Sequence, residues 1–245
     1  MLVKSQVKYI QSLGHKKFRD AEGVFVAEGS KIVRELLQGQ GEPAVVLYAT
    51  ADWLRENKSG LPSAKTVVEL EKHELERISF LSTPGRVLAV FHQPVFPVLE
   101  KPEGITLLLD NIQDPGNLGT IVRTADWFGV RQIVCSQDTA DVFNPKVVQA
   151  TMGSIGRVNV MYRDLQEYMQ IHSGIPSYAA ALDGENLGEI RRIPEGFILL
   201  GNESRGIQDE LAARANHRIH IPGSGNAESL NVAVAAGILL FMIRN

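Results

Sequence analysis

Three segments gather side chains and backbone whose types and spacing suit chemistry. DNIQDPGNLGTIVRTADWFG, residues 110–129, sets Asn117, Thr120 and Arg123 on the polar faces of an apparent helix. ILLGNESRGI, residues 198–207, crowds Asn202, Glu203, Ser204 and Arg205 behind Gly201. IPGSGNAESLNVAVAAGILLF, residues 221–241, runs from Ile221 through Gly223, Gly225, Ser229, Leu230 and Asn231 into Val232–Phe241, where no residue is charged. Amides and hydroxyls bind and orient, a guanidinium stabilises an anion, and a carboxylate orients a partner. Glycine lets backbone approach a ligand, and the first amides of a helix lack intrahelical partners. Bland roles fit some of these residues equally well: Arg123 on a solvated helix face, and Glu203 as a cap for a helix beginning near Gln208.

Other chemistries find no pattern. One cysteine and six scattered histidines give no metal-ligand spacing. A G-x-G-x-x-G fingerprint after a strand, a G-x-x-x-x-G-K-[ST] phosphate loop and a G-x-S-x-G nucleophile elbow are all missing.

Positioning these segments is the task of alternating elements. In the second half, ITLLLD precedes a helix over 116–128, and RQIVCS precedes one over 144–153. A short strand near 158–162 and a helix over 164–172 follow, then the strands SYAAAL and GFILLG, a helix over 207–214, the strand HRIHIP and a final helix from about 230. Apolar runs without alternation, separated by helices, predict a mostly parallel sheet covered on both faces. Such sheets bind ligands beyond the carboxyl ends of their strands, where all three segments fall. Leu118, Ile121, Val122, Ala125 and Phe128 share one face of the first helix, and Arg123 falls on the opposite side.

The first half reads as a smaller α/β domain. A helix over 4–13 leads through GHKKFRDAEG, taken as a loop, to a strand over 24–27. A helix in GSKIVRELLQ and strands at 45–48 and 86–91 follow. Pro94, Pro97 and Pro102 mark 93–103 as a linker between domains at 1–92 and 104–245.

At 245 residues, 44% hydrophobic and 22% charged, the chain is ordinary for a globular protein of two domains. Its longest apolar run is shorter than the roughly 20 residues that span a bilayer, and no signal peptide is apparent. A lone cysteine, Cys135, sits in an apolar run, reads as core, and suits a reducing cytoplasm. The net charge of -3 argues against a protein that coats nucleic acid non-specifically. Lys4, Lys8, His15, Lys16, Lys17, Arg19, Lys31 and Arg34 nevertheless crowd the first 35 residues against Asp20, Glu22, Glu28 and Glu35, as a basic patch or a solvated face. Tyr9, Phe18 and Phe25 are either stacking residues for bases or core.

In this order, NIQDPGNLGTIVRTADWFG, LLGNESRGI and IPGSGNAESLNVAVAAGILLF resemble the three motifs of the SpoU (TrmH) family of RNA ribose 2'-O-methyltransferases, within the SPOUT class. The likeness spans about residues 105–245. The first domain resembles the family's substrate-binding domain, akin to ribosomal proteins that bind kinked RNA. The resemblance implies a C-terminal trefoil knot, a homodimer, and S-adenosylmethionine held by the knotted loops. It implies structured RNA as substrate, ribosomal more than transfer RNA, with no metal and no membrane.

Carried over by motif position, Gly201, Ile221 and Leu230 would touch the cofactor, and Asn117, Arg123, Glu203, Ser229 and Asn231 would be the functional side chains. Glu203 would orient Arg123 or its own loop. Many relatives have serine where Ala233 stands here, a departure bearing on helix packing. Two other readings remain: a catalytically silent RNA-binding or ribosome-assembly factor, which the intact polar set speaks against, and a SPOUT enzyme that methylates a base.

Overall fold

The computed structural model describes residues 2–39, 44–57, 64–97, 102–189 and 192–244. The first stretch of chain forms α1 (Lys4–Ser12), α2 (Lys16–Glu22), β1 (Val24–Glu28), α3 (Ser30–Gln38), β2 (Val46–Ala49), α4 (Ala51–Glu56), β3 (Val67–Glu69), α5 (Lys72–Glu76) and β4 (Val87–His92). Their sheet has the order β1-β4-β2-β3, with β4 antiparallel to both neighbours and β2 parallel to β3. Val7 and Ile10, three apart on α1, pack with Leu13, Val24, Val26, Leu88 and Val90 into one core.

GHKKFRDAEG is not a loop: α2 lies inside it. The helix has no apolar stripe to betray it, because the side chain it buries is Arg19. That guanidinium donates to the Leu13 carbonyl oxygen at 2.7 Å and pairs with Asp141, so its charge is compensated inside. Arg19 therefore leaves the basic patch. Lys4, Lys8, His15, Lys17, Lys31 and Arg34 remain exposed, while Lys16 pairs with Asp20 at 2.8 Å. Phe25 is core, stacked on Phe91 at 5.7 Å, and Tyr9 packs against the core, whereas Phe18 is 45% exposed. Trp53, which α4 buries, donates its indole N–H to Ser30 Oγ at 2.9 Å, satisfying the polar edge of a large core residue.

The remaining chain forms β5 (Ile105–Leu109), α6 (Pro115–Trp127), β6 (Gln132–Cys135), α7 (Pro145–Thr151), β7 (Asn159–Tyr162), α8 (Leu165–Ile171), β8 (Ser177–Asn186), β9 (Gly196–Leu200), α9 (Asp209–Ala212), β10 (His217–His220) and α10 (Val232–Arg244). All six strands are parallel, in the order β10-β8-β9-β5-β6-β7. β5, β6 and β9 are buried along their whole length, as their unbroken apolar runs require. Segment Asp141–Gly156, which carries α7, clusters with residues Met1–Phe96 into one compact unit. Pro97–Ala140 and Arg157–Asn245 form the other.

The second unit grows outward from β5 through β6 to β7, crosses to β8, returns through β9 beside β5, and leaves through β10. Strand direction of growth reverses between β5 and β9, and loops leaving such neighbours diverge to open a crevice. Two of the three motif segments, 110–114 and 201–208, leave those two strands. β8 differs from its expected span: it runs to Asn186, with a register shift against β10 between Arg218 and Ile219. Residues 93–97 and 102–104 are neither helix nor strand, and the rest of the expected linker lies outside the described residues.

Candidate active site

The first motif starts at the end of β5, and Asp114 caps α6 by accepting the Asn117 N–H at 2.8 Å, with Pro115 at the first helical turn. Leu118, Ile121, Val122 and Ala125 are fully buried on one face, as their spacing predicts. Asn117 is thereby fixed, half-buried, at the start of the helix. Its Nδ2 donates to Glu203 of the second motif, and its Oδ1 accepts from Asn231 Nδ2 of the third at 3.0 Å. One amide thus joins all three motifs.

Asn231 does more than meet Asn117. Its Oδ1 accepts the N–H groups of Ala233 at 3.0 Å and Val234 at 3.3 Å, capping α10. Ala233 itself is buried, in keeping with a packing role for a small residue there.

Glu203 sits at the tip of a tight loop. Asn202 and Gly206 exchange backbone hydrogen bonds at 3.0 and 2.8 Å, and Asn202 Oδ1 accepts the N–H groups of Ser204 and Arg205. The turn presses Gly201 against its far side: a Cβ there would lie 2.2 Å from Gly206 C and Ile207 N. Backbone cannot yield as a side-chain end can, so position 201 accepts glycine alone. Glu203 does not cap α9, whose N-cap is Gln208, and the carboxylate's partner is Asn117 rather than Arg123.

The third loop is the opposite in character. Ile221 is half-buried and residues 222–230 are exposed. Among the described residues, no hydrogen bond engages the backbone of 221–230. Leu230 and Ser229 are exposed in it.

Arg123 stands apart from the cluster. It is exposed, and no hydrogen bond or ion pair joins its guanidinium to another described residue. Six residues along α6 place it about 9 Å from Asn117 along the axis and about 120° around it. The structure therefore brings together Asn117, Glu203 and Asn231, adjoins Gly201, and joins neither Arg123 nor Ser229 to them.

Reading the sequence missed Asp110 and Asn111. Asp110 accepts from Gln208, and Asn111, in the left-handed conformation at φ 57°, accepts from Asn202 Nδ2 on its carbonyl at 2.9 Å. Asn111 Oδ1 is buried with no hydrogen-bond partner among the described residues. A positive φ leaves little trace in sequence when asparagine supplies it. Burial pushes the Cys135 thiol up, which removes it as a nucleophile and agrees with its core placement. Among the described residues no group of three or more His, Cys, Asp or Glu could hold a metal ion, and no helix is long and apolar enough to cross a membrane.

The pattern of the SpoU rRNA Methylase family matches residues 104–241, all three motifs included. The chain belongs to that family. It is thus an RNA methyltransferase, and residues 4–89 match the MRM3-like substrate binding domain. The 23S rRNA (guanosine(2553)-2'-O)-methyltransferase RlmP of Bacillus subtilis is 33% identical, over 98% of this chain and 96% of its own length. A TrmH-family protein from Porphyromonas gingivalis is 43% identical with a TM-score of 0.85, covering 100% of this chain and 98% of that one. An AdoMet-bound rRNA methyltransferase from Sinorhizobium meliloti is 30% identical with a TM-score of 0.84, covering 100% and 95%. These likenesses extend over both halves of this SpoU methylase.

Proposed function

We propose that this SpoU methylase transfers the methyl group of S-adenosylmethionine to a ribose 2'-hydroxyl of ribosomal RNA, with its cofactor held by the loops 201–208 and 221–231. The observation that carries this reading is the meeting of Asn117, Glu203 and Asn231 beside a backbone loop with nothing bonded to it. The residues suit the cofactor: N–H and C=O groups in 221–230, without partners among the described residues, can read the edge of an adenine, Gly201 lets the 201–208 turn fold tightly back on itself, and Asn111 Oδ1 lacks a donor. Ile221 and Leu230 supply apolar walls. When bound, S-adenosylmethionine supplies an electrophilic methyl and a neutral leaving group.

The chain's own residues must then hold the ribose oxygen in line and ease loss of its proton. The Arg123 guanidinium carries donors and no acceptor, so its role is to grip the target phosphate and stabilise the developing alkoxide. Asn117, held by Glu203 and Asn231, keeps the three motif segments in register, and Ser229 contacts the substrate.

Arg123 acts on a site in a second copy of the chain. It shares a helix face, at a spacing of four, with Trp127, which is 85% exposed. On α10 a stripe at a spacing of seven exposes Val234 at 50% and Phe241 at 58%. Such apolar exposure on paired helices fits a homodimer interface, and a monomeric variant would keep its fold and lose activity. A trefoil knot is supported by the last helix tucking against the connection before β9, where the Ile193 N–H meets the Ile243 carbonyl at 3.2 Å. The N-terminal domain at 1–92 holds the RNA, with Lys8, His15, Lys17 and the exposed Phe18 as its contacts. A cytoplasmic location is the reading that ribosomal RNA as substrate and a lone, buried cysteine support.

The test is incubation with unmodified 23S ribosomal RNA and methyl-labelled S-adenosylmethionine, followed by alkaline hydrolysis. Label in alkali-resistant dinucleotides is expected, because a 2'-O-methyl group blocks cleavage. Label in mononucleotides would mean base methylation, and no label with intact RNA binding would mean a silent RNA-binding factor.

A further inference from the structure

We infer that Asp110 is a positioning residue for methyl transfer, acting on the cofactor through Gln208 and the loop 201–208. This rests on the reading of that loop as part of the cofactor cradle. Asp110 is 1% exposed, and a carboxylate taken out of water must be compensated. Among the described residues its side-chain hydrogen-bond donors come from one residue: Gln208 N–H reaches Oδ2 at 2.8 Å and Gln208 Nε2 reaches Oδ1 at 2.8 Å. No ion pair with Asp110 is found among the described residues.

The other end of the loop is fastened to the next residue. Asn202 Nδ2 donates to the Asn111 carbonyl at 2.9 Å, and Asn111 is itself held by donating its N–H to Ser136 Oγ at 2.8 Å. Ile112 N–H reaches Thr139 Oγ1 at 3.3 Å, so the backbone that presents both fastenings is anchored from behind. Asp110 and Asn111 therefore clasp residues 202 and 208, and the span between them carries Glu203 to Asn117.

This clasp is not needed to pair the strands. The β5–β9 ladder is complete from Ile105 to Leu109, and Asp110 N–H extends it to the Leu200 carbonyl at 2.8 Å. Burying a charge to fix an exposed turn costs stability that a neutral loop would not require. What the carboxylate secures is the placement of Gly201 and Glu203.

The polarity of the clasp supplies its test. Asp110→Asn removes the charge from both hydrogen bonds and makes the Gln208 amide turn over to accept from the new Nδ2, and Gln208→Glu in the same chain restores a charged acceptor to the pair with the total charge kept. The readouts are calorimetric affinity for S-adenosylmethionine, KM for cofactor and for 23S ribosomal RNA separately, and the thermal midpoint. Asp110→Asn should raise the cofactor Kd and KM about ten-fold, in line with one hydrogen bond to a charged group, and leave the RNA KM unchanged. The double variant should return to within about three-fold of the parent. A merely structural aspartate would lower kcat with the folded fraction and move neither KM, which would overturn the inference. Gln208→Ala, at an exposed position, removes only the side-chain donor and serves if Asp110→Asn does not fold. It should raise the cofactor KM about three-fold, and no change there would likewise overturn the clasp. Failure of the parent protein to bind S-adenosylmethionine would sink the functional reading itself, whereas equal binding by parent and variant would sink the clasp alone.

Discussion

The two glycine-bearing loops proposed to hold the cofactor treat their backbone groups in opposite ways. In 201–208 the N–H groups of Asn202, Ser204, Arg205, Gly206 and Gln208 all have partners within the chain. In 221–230 the described structure gives the backbone none. Exposed backbone groups are satisfied by water until a ligand displaces it. On the proposed reading the first loop supplies shape, since five of its N–H groups are bonded without a ligand, and the second recognition, since the described structure leaves its hydrogen-bonding capacity unspent. Asn117 links them, touching Glu203 in one and Asn231 at the end of the other.

The largest effect should come from a residue in neither loop. Arg123→Ala is expected to slow methyl transfer by about 10²–10³-fold, the loss typical of one donor that stabilises developing charge. Cofactor affinity, measured by calorimetry, should stay within two-fold in the same experiment, roughly within error of one weak contact. A fall in cofactor affinity would break the division between holding and reacting.

Gly201→Ala attacks the self-bonded loop. With backbone 2.2 Å from the new methyl, the turn must open, and a stability loss of about 1–3 kcal/mol should appear in denaturant unfolding. Cofactor affinity should fall more than about ten-fold. Asn231→Ala removes the α10 cap and the link to Asn117 together, for about 1 kcal/mol of stability and a smaller loss of affinity.

Gly223→Ala probes the open loop at a position with no atom within 4 Å of a new Cβ. Stability should change by less than about 0.5 kcal/mol while cofactor affinity drops, the reverse of a folding defect. A stability loss equal to that of Gly201→Ala would erase the contrast. The smallest effect is a control in the other unit. Backbone N–H groups of Leu2, at 2.7 Å, and Glu71, at 3.2 Å, hold the Glu74 carboxyl below the usual carboxylate range. Its contribution is therefore full above the unfolded pKa of about 4.3 and lost as pH falls through the lowered folded value. Glu74→Gln should be less stable than the parent at neutral pH and converge with it in acid, with cofactor binding unaffected at pH 7.

β5, β6 and β9 were legible because buried parallel strands are continuous apolar runs, β7, β8 and β10 by their place in the alternation with helices, and α6 because its apolar face repeats with helical period. α2 was not, since it buries an arginine rather than a stripe. The loops were recognisable as motifs, but Asp110 and Asn111 were not recognisable as their fastenings. Partners 98 and 91 residues apart, joined to a loop through a backbone N–H and a carbonyl, leave no local pattern. Asn117 was chosen by motif position, yet its service to both other motifs follows only from three-dimensional placement.

Amide hydrogen exchange with and without S-adenosylmethionine tests the account most directly. Slow exchange is predicted at residues 202, 204–206 and 208 in both states, and fast exchange at 223–231 that becomes slow when the cofactor is added. Exchange at 223–231 left unchanged by saturating cofactor, or protection gained instead at a surface remote from both loops, would contradict it.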